Sequence, residues 1–360
     1  MAAPAELTEF VKPKSLAFRV NGIPIDHADK FESTLRSIAE QIPVLREATD
    51  SIICRSLARQ NNRFSCATVS IITSLSADEL SAQLNRFGGS PRYRYSCKFE
   101  GITPLYDGKD DADVDVIAVP GLGSHALGSW KSPNSDDFWL RDFLPEDVPN
   151  IRVLLYGYDT TPANSRLKQS IEGLGVTFME QIIAFRAEDG TFRRPVVFIG
   201  HSLGGLLVKE ALVRACNRNN DENTNLSKAC FGMLFFGVPN LGLQNEQLIT
   251  LVGGQPNQSL IHALLVDSDS EPSNFLKRLG DEFSRCCKGC YRIVTFFERM
   301  LSPTLEDQNG KWKKTGPLTL LVTEKSATST GLVAAADEDN VPLNRDHSGL
   351  VKYESRDEGD

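Results

Sequence analysis

The chain has 360 residues, of which 41% are hydrophobic and 24% charged, and carries a formal net charge of −8; this length and mix fit a folded, enzyme-sized protein of one or two domains. With no Lys/Arg cluster to offset it, the negative balance argues against nucleic acid or anionic lipid as an electrostatic partner and favours a neutral or weakly charged substrate. No apolar run approaches the ~18 residues of a membrane-spanning helix, and Met1 to Lys14, with Glu6 and Glu9, fits neither a secretory signal nor a transit peptide, so the location expected is cytoplasmic.

Residues 1–90 are expected to form a small α+β module. A strand is predicted at Leu16 to Val20, followed by a helix with Phe31, Leu35 and Ile38 on one face. A second strand at Cys66 to Ile72 precedes a helix opened by Ser76 and carrying Leu80, Leu84 and Phe87, which Gly88, Gly89 and Pro91 stop. His27 is read as a surface or capping residue.

From 91 to 360 the pattern changes. Tyr93, Tyr95, Cys97 and Phe99 alternate with polar residues, and Glu100-Gly101 can turn the chain into a strand at Ile102 to Tyr106, which predicts an antiparallel hairpin. Apolar runs follow at Val116 to Val119, Val153 to Tyr156, Val196 to Ile199, Gly232 to Phe236, Ile293 to Phe297 and Leu318 to Val322, with helical patterns at Leu167 to Phe185 and Leu206 to Cys216. Strands that are apolar on both sides belong in a parallel sheet covered by helices, so an α/β, mostly parallel, doubly wound sheet is expected after the hairpin. Residues 240–290 are long for a connection between strands, and their apolar stretches could form a cap. Eight cysteines in a chain read as cytoplasmic are expected to be reduced, and Cys286, Cys287 and Cys290 supply too few ligands for a closed metal site.

Gly200-His201-Ser202-Leu203-Gly204 carries the chemistry. A Gly-x-Ser-x-Gly pattern arises by chance at about 1 in 3,000 positions, so the five residues alone decide little. Here they stand between a β-rich run and a helical pattern, the context of a strained strand-to-helix turn that lifts a serine clear of a sheet. Gly200, Gly204 and Gly205 allow the close approach of strand and helix that this turn requires. Ser202 is therefore the expected nucleophile and the Leu203 N–H the first donor to an oxyanion. The second donor is expected from Val119-Pro120-Gly121-Leu122-Gly123-Ser124, with Leu122 preferred and Gly121 next.

In chain order the acid and then the histidine should follow the serine. His125 and His27 precede it, and His201 lies inside the turn. His262 sits in an apolar helical stretch and reads as a packed or surface residue; His347, in a polar loop after the last predicted strand, is the expected base. Glu298, at the end of Ile293 to Phe297, is the expected acid, with Asp267 and Asp269 as alternatives and Asp346, beside the histidine, weaker.

With these residues placed, the chain resembles the serine-active-site-containing lipase-like α/β-hydrolases, which are related to the GPI inositol-deacylases and to N-terminal domains of fungal NLR-like receptors. Residues 99–353 carry the resemblance, through the segments 99–106 and 200–212, Gly237-Val238-Pro239 and Asp346-His347. It implies an α/β-hydrolase fold, Ser202 as nucleophile, His347 as base and Glu298 as acid; two-step acyl transfer through such a triad is expected to need no cofactor. The oxyanion loop departs from the family, having Pro120-Gly121 where His-Gly is usual. An ester or lipid-like small molecule is the expected substrate. A signalling module without turnover, or an amidase or transacylase with the same triad, are the rival readings. The receptor analogy would place nucleotide-binding and repeat domains beyond residue 360.

Overall fold

The computed structural model describes residues 13–46, 52–87, 92–108, 112–123, 125–159, 168–218, 226–245, 247–251, 256–266, 271–287, 291–308, 311–331 and 339–358. The chain divides into two compact units, Met1–Lys98 and Phe99–Asp360.

The first unit is an antiparallel sheet of β1 (Lys14–Pro24), β2 (Ile52–Arg59), β3 (Phe64–Thr73) and β4 (Arg94–Ser96), in the order β2-β3-β1-β4. Its helices are α1 (Phe31–Glu40), the short α2 (Pro43–Arg46) and α3 (Ala77–Phe87). Phe31, Leu35 and Ile38 of α1 and Leu80 and Leu84 of α3 are buried with Phe18, Val20, Val69 and Ile71 of the strands. Ser76 starts α3 through a reciprocal cap. The Glu79 N–H donates to Ser76 Oγ at 3.3 Å, and the Ser76 N–H donates to Glu79 Oε2 at 2.9 Å. β2 lies outside the sequence reading because it is an edge strand of mixed polarity, with Arg55 and Arg59 among its residues.

The expected hairpin is corrected. β4 pairs with β1, Val20 opposite Tyr95, whereas β5 (Gly101–Tyr106) pairs with β7 (Ile151–Gly157), Ile102 opposite Tyr156. Tyr93 and Tyr95 are buried in the first unit's own core, so the alternation that suggested a hairpin reports a strand serving a different sheet. The boundary between the units accordingly falls after Lys98 rather than near residue 90.

The second unit is built on a seven-stranded sheet. Its further strands are β6 (Val114–Val119), β8 (Val196–His201), β9 (Cys230–Phe236), β10 (Arg292–Glu298) and β15 (Asn340–Leu343), in the order β15-β10-β9-β8-β6-β7-β5. All neighbours are parallel except β5 and β7. Short helices α4 (Trp139–Asp142) and α5 (Leu144–Asp147) precede β7. The long helices are α6 (Ile171–Glu188), α7 (Leu203–Asn217) and α10 (Asn274–Cys287), with α7 packed between the other two. α6 starts at Ser170, whose hydroxyl accepts the Gly173 N–H at 3.1 Å. Nearly all of α7 is buried, which explains its continuous rather than striped apolar sequence. Each fully buried Leu or Phe of this core contributes roughly 1.5–3 kcal/mol.

The connection from β9 to β10 contains α8 (Gln247–Leu251), α9 (Gln258–Leu264) and α10. Leu260, Ile261, Leu264, Leu276 and Leu279, from the stretches that suggested a cap, are buried in the main core. After β10 come two small antiparallel pairs, β11 (Ser302–Pro303) with β14 (Leu318–Thr319) and β12 (Glu306–Gln308) with β13 (Lys311–Lys313), and then α11 (Glu324–Thr328). The run Leu318 to Val322 is thus not the last strand of the sheet, and Leu318 is 64% exposed. That place belongs to β15, a four-residue edge strand whose Pro342 and Asn340 leave no apolar run to read.

Register brings the site together. Val119 lies beside Gly200, His201 beside Phe236 and Glu298 beside Leu343, so the C-terminal ends of five parallel strands meet on one edge of the sheet. That edge is where open α/β sheets bind ligands. Near the opposite ends, Asp115 of β6 is fully buried and accepts two 2.8 Å hydrogen bonds from Arg152, with Arg186 at 3.1 Å and Arg194 at 3.2 Å. Arg152 also binds Asp189. Burial pushes the Arg186 guanidinium down to about 10.

Candidate active site

β8 ends at His201 and α7 begins at Leu203, so Ser202 alone forms the turn. Its φ of 51° and ψ of −124° place a non-glycine residue in left-handed backbone space, at a cost of order 1–3 kcal/mol. The turn is held from both sides. The Ser202 N–H donates to the Phe236 carbonyl at 2.9 Å, and the Ser202 carbonyl accepts the Gly205 N–H at 3.1 Å.

The glycines of the motif are required by contact distance. A Cβ on Gly204 would lie 2.2 Å from the Val119 carbonyl oxygen and 2.6 Å from that of Pro120. On Gly205 it would lie 2.2 Å from a Val238 methyl, and on Gly200 it would lie 2.6 Å from the Gly205 Cα. α7 is thus pressed against both the strand it follows and the loop after β6. Gly121 of that loop lies against Ser202, since its Cβ would stand 3.0 Å from Ser202 Cβ. Leu122, the preferred second donor, is the next residue and is half-buried; Ser124 lies outside the described residues. Tyr158, absent from the sequence reading, pins the loop by donating to the Pro120 carbonyl at 2.8 Å.

His347 and Glu298 are in contact. His347 Nδ1 is 2.6 Å from Glu298 Oε2, and the two residues are 7% and 2% exposed. Glu298 Oε1 accepts the backbone N–H groups of Leu321 at 2.7 Å and Val322 at 3.1 Å, which fixes the carboxylate's orientation. The main chain of His347 is anchored twice. Its N–H donates to Ser302 Oγ at 3.0 Å, and its carbonyl accepts from His201 Nε2 at 3.0 Å. The ring packs close to Gly237, whose φ is 55° and whose Cβ would lie 3.0 Å from the imidazole. With Nδ1 committed to Glu298, the acceptor left for a serine proton is Nε2.

His201 is a buried neutral imidazole. Burial, then the neighbouring His347, pushes it down to about 3, and the centroids of the two rings are 5.1 Å apart. Because a carbonyl only accepts, His201 carries its proton on Nε2. Nδ1 is buried without a partner and stands 3.2 Å from where a Gly121 Cβ would be.

The other histidines are elsewhere in the fold. His125 is exposed, accepts the Gly128 N–H at 3.3 Å and packs edge-on against Phe99; His262 is exposed on α9 beside Gln258; His27 is exposed in the first unit. Asp346 accepts the Gly349 N–H at 2.7 Å and shapes the turn after the histidine. Asp267, Asp269 and Cys290 lie outside the described residues. The supporting groups that sequence reading missed, Ser302 in the two-residue strand β11 and Tyr158 and the Leu321 and Val322 amides in irregular segments, follow no motif.

No protein-family model matches the chain. Over 217 residues it is 27% identical to protein SERAC1 of Homo sapiens, the match covering 55% of this chain and 32% of that protein. Over 264 residues it is 26% identical to protein SERAC1 of Danio rerio, covering 68% and 37%. The chain thus spans about a third of the length of these curated relatives. Among solved structures, the mature form of Bacillus licheniformis lipase BlEst2 aligns at a TM-score of 0.43 with 13% identity, covering 69% of this chain and 92% of that one. No helix among the described residues is long and apolar enough to cross a membrane. With a mostly parallel sheet, the strand-serine-helix turn at its C-terminal edge and this sequence similarity, the chain is an α/β-hydrolase-fold protein that resembles the serine-active-site-containing lipase-like hydrolases.

Proposed function

We propose that the chain is a serine hydrolase that cleaves carboxylic esters through Ser202, His347 and Glu298. The observation that carries this reading is the 2.6 Å contact between His347 Nδ1 and Glu298 Oε2 on the sheet edge that also presents Ser202.

In the proposed reaction His347 Nε2 takes the Ser202 proton as Oγ attacks the ester carbonyl. Glu298 holds the tautomer that leaves Nε2 free and stabilises the imidazolium that forms. The carbonyl oxygen becomes an oxyanion facing the Leu203 N–H and an N–H from Leu122 or Gly121. His347 then protonates the leaving alcohol, and water activated by the same imidazole releases the acyl group from Ser202. The chemistry needs no metal or organic cofactor. A neutral acyl ester, of lipid or of a smaller alcohol, suits a protein of net charge −8 better than an anionic substrate.

The test is a fluorophosphonate probe followed by a panel of ester, thioester and amide substrates, with Ser202→Ala as control. Labelling and ester turnover that both disappear in Ser202→Ala support the reading. Equal labelling of the two proteins overturns it, and turnover of amides in preference to esters replaces it with an amidase.

A further inference from the structure

The Cys286-Cys287 pair suggested no site by its spacing, but the fold brings it a partner 70 residues away. Cys216 is the penultimate residue of α7 and Cys286 the penultimate residue of α10, and these helices pack side by side. Their last turns are cross-linked by reciprocal weak hydrogen bonds. Cys216 Sγ donates to the Cys286 carbonyl at 3.8 Å, and Cys286 Sγ donates to Asn217 Oδ1 at 3.6 Å. Each thiol therefore reaches across to the end of the other's helix. Burial and then the neighbouring Cys216 push the Cys286 thiol up to about 11. Both residues are half-buried, so a small oxidant can reach them, whereas Cys287 and Cys230 are buried.

We propose that Cys216 and Cys286 are a redox modification site that closes to a disulfide when the protein meets a hydroperoxide, tying the C-terminal end of the helix that starts at Ser202 to α10.

The Cys216 sulfur attacks the peroxide O–O bond, becoming a sulfenic acid and releasing the alcohol, or water when the oxidant is hydrogen peroxide. The Cys286 sulfur then attacks the sulfenic sulfur, the S–O bond breaks, and the departing hydroxide takes the Cys286 proton as water. Two thiols are oxidised and one peroxide is reduced. The same disulfide forms if the Cys286 sulfur takes the first step, so the product does not depend on which thiol is oxidised first.

The experiment treats the reduced, folded chain with hydrogen peroxide, blocks the remaining thiols and maps tryptic peptides by mass spectrometry without reductant. A link between the Cys216 peptide and the peptide holding Cys286 and Cys287, lost in Cys216→Ser and in Cys286→Ser but kept in Cys287→Ser, is the expected result. No link in the wild type, a link that survives Cys286→Ser, or a disulfide confined to Cys286, Cys287 and Cys290 overturns the proposal. The readout is covalent, so it does not depend on the esterase reading.

Discussion

His201 donates from Nε2 to the main-chain carbonyl of His347 at 3.0 Å, linking the residue before the elbow serine to the residue proposed as its base. Since burial keeps His201 neutral down to about pH 3, this bond does not switch across ordinary assay conditions. Phenylalanine at 201 fills the ring's space but donates nothing, whereas glutamine can still reach a carbonyl. His201→Phe is expected to lower kcat by about 10- to 100-fold with little change in KM, and His201→Gln to recover much of the loss. Steady-state kinetics of the two variants checks this, and equal activity of His201→Phe and wild type would sink the positioning role.

Glu298→Gln separates charge from shape. The glutamine Oε1 can keep accepting the Leu321 and Val322 amides, but its NH2 then faces His347 Nδ1 and forces the imidazole proton onto Nε2. That tautomer cannot accept the Ser202 proton. The expected loss is roughly 10³- to 10⁴-fold in kcat with the fold retained. Full activity here, together with loss in Asp267→Asn, would move the acid to the residue named as its alternative.

Asp115 is the common partner of three arginines, and its substitution should be felt in stability rather than catalysis. Asp115→Asn leaves Arg152 and Arg186, both buried, short of compensating charge. A destabilisation of about 3–5 kcal/mol is expected, because removing one partner of a buried pair strands the other. Chemical denaturation reads it directly, and a change under about 1 kcal/mol would contradict it.

Lys209 makes stability depend on pH in the alkaline direction. It is 1% exposed on α7, donates to Asn240 Oδ1 at 2.9 Å, and is pushed down to about 7 by burial. The unfolded chain holds this proton up to the ordinary lysine value of 10.5, so between about pH 7 and that value the unfolded state binds more protons than the folded one. Stability from this group therefore rises with pH through that range, and below it the burial penalty is present in full. Lys209→Met removes the dependence while leaving Asn240 Oδ1 without its donor. Denaturation of both proteins at about pH 6.5 and pH 9.5 should show the wild type gaining on the variant at the higher pH. Parallel behaviour at the two values would mean the amine is protonated in the folded state throughout.

Much of the site could be read from sequence because local geometry demands particular residues. Gly204 and Gly205 are required wherever a helix start is pressed against two neighbouring segments, and a serine between a β-rich run and a helical pattern announces that turn. Glu298 could be placed because it ends an apolar run, and His347 because it follows the acid in a polar loop, although the strand expected to precede it was the wrong one. Period and local contact within a few residues carry that information. Tertiary structure decided what depends on segments far apart in the chain. β4 joined the first unit because Tyr95, and Tyr93 just before the strand, pack in that core; β15, short and polar, took the sheet edge by pairing with β10; the Leu321 and Val322 amides turned to Glu298; and Cys216 came beside Cys286. None of these leaves a periodic trace, because backbone pairing and helix-end packing are indifferent to the side-chain pattern of the segments they join.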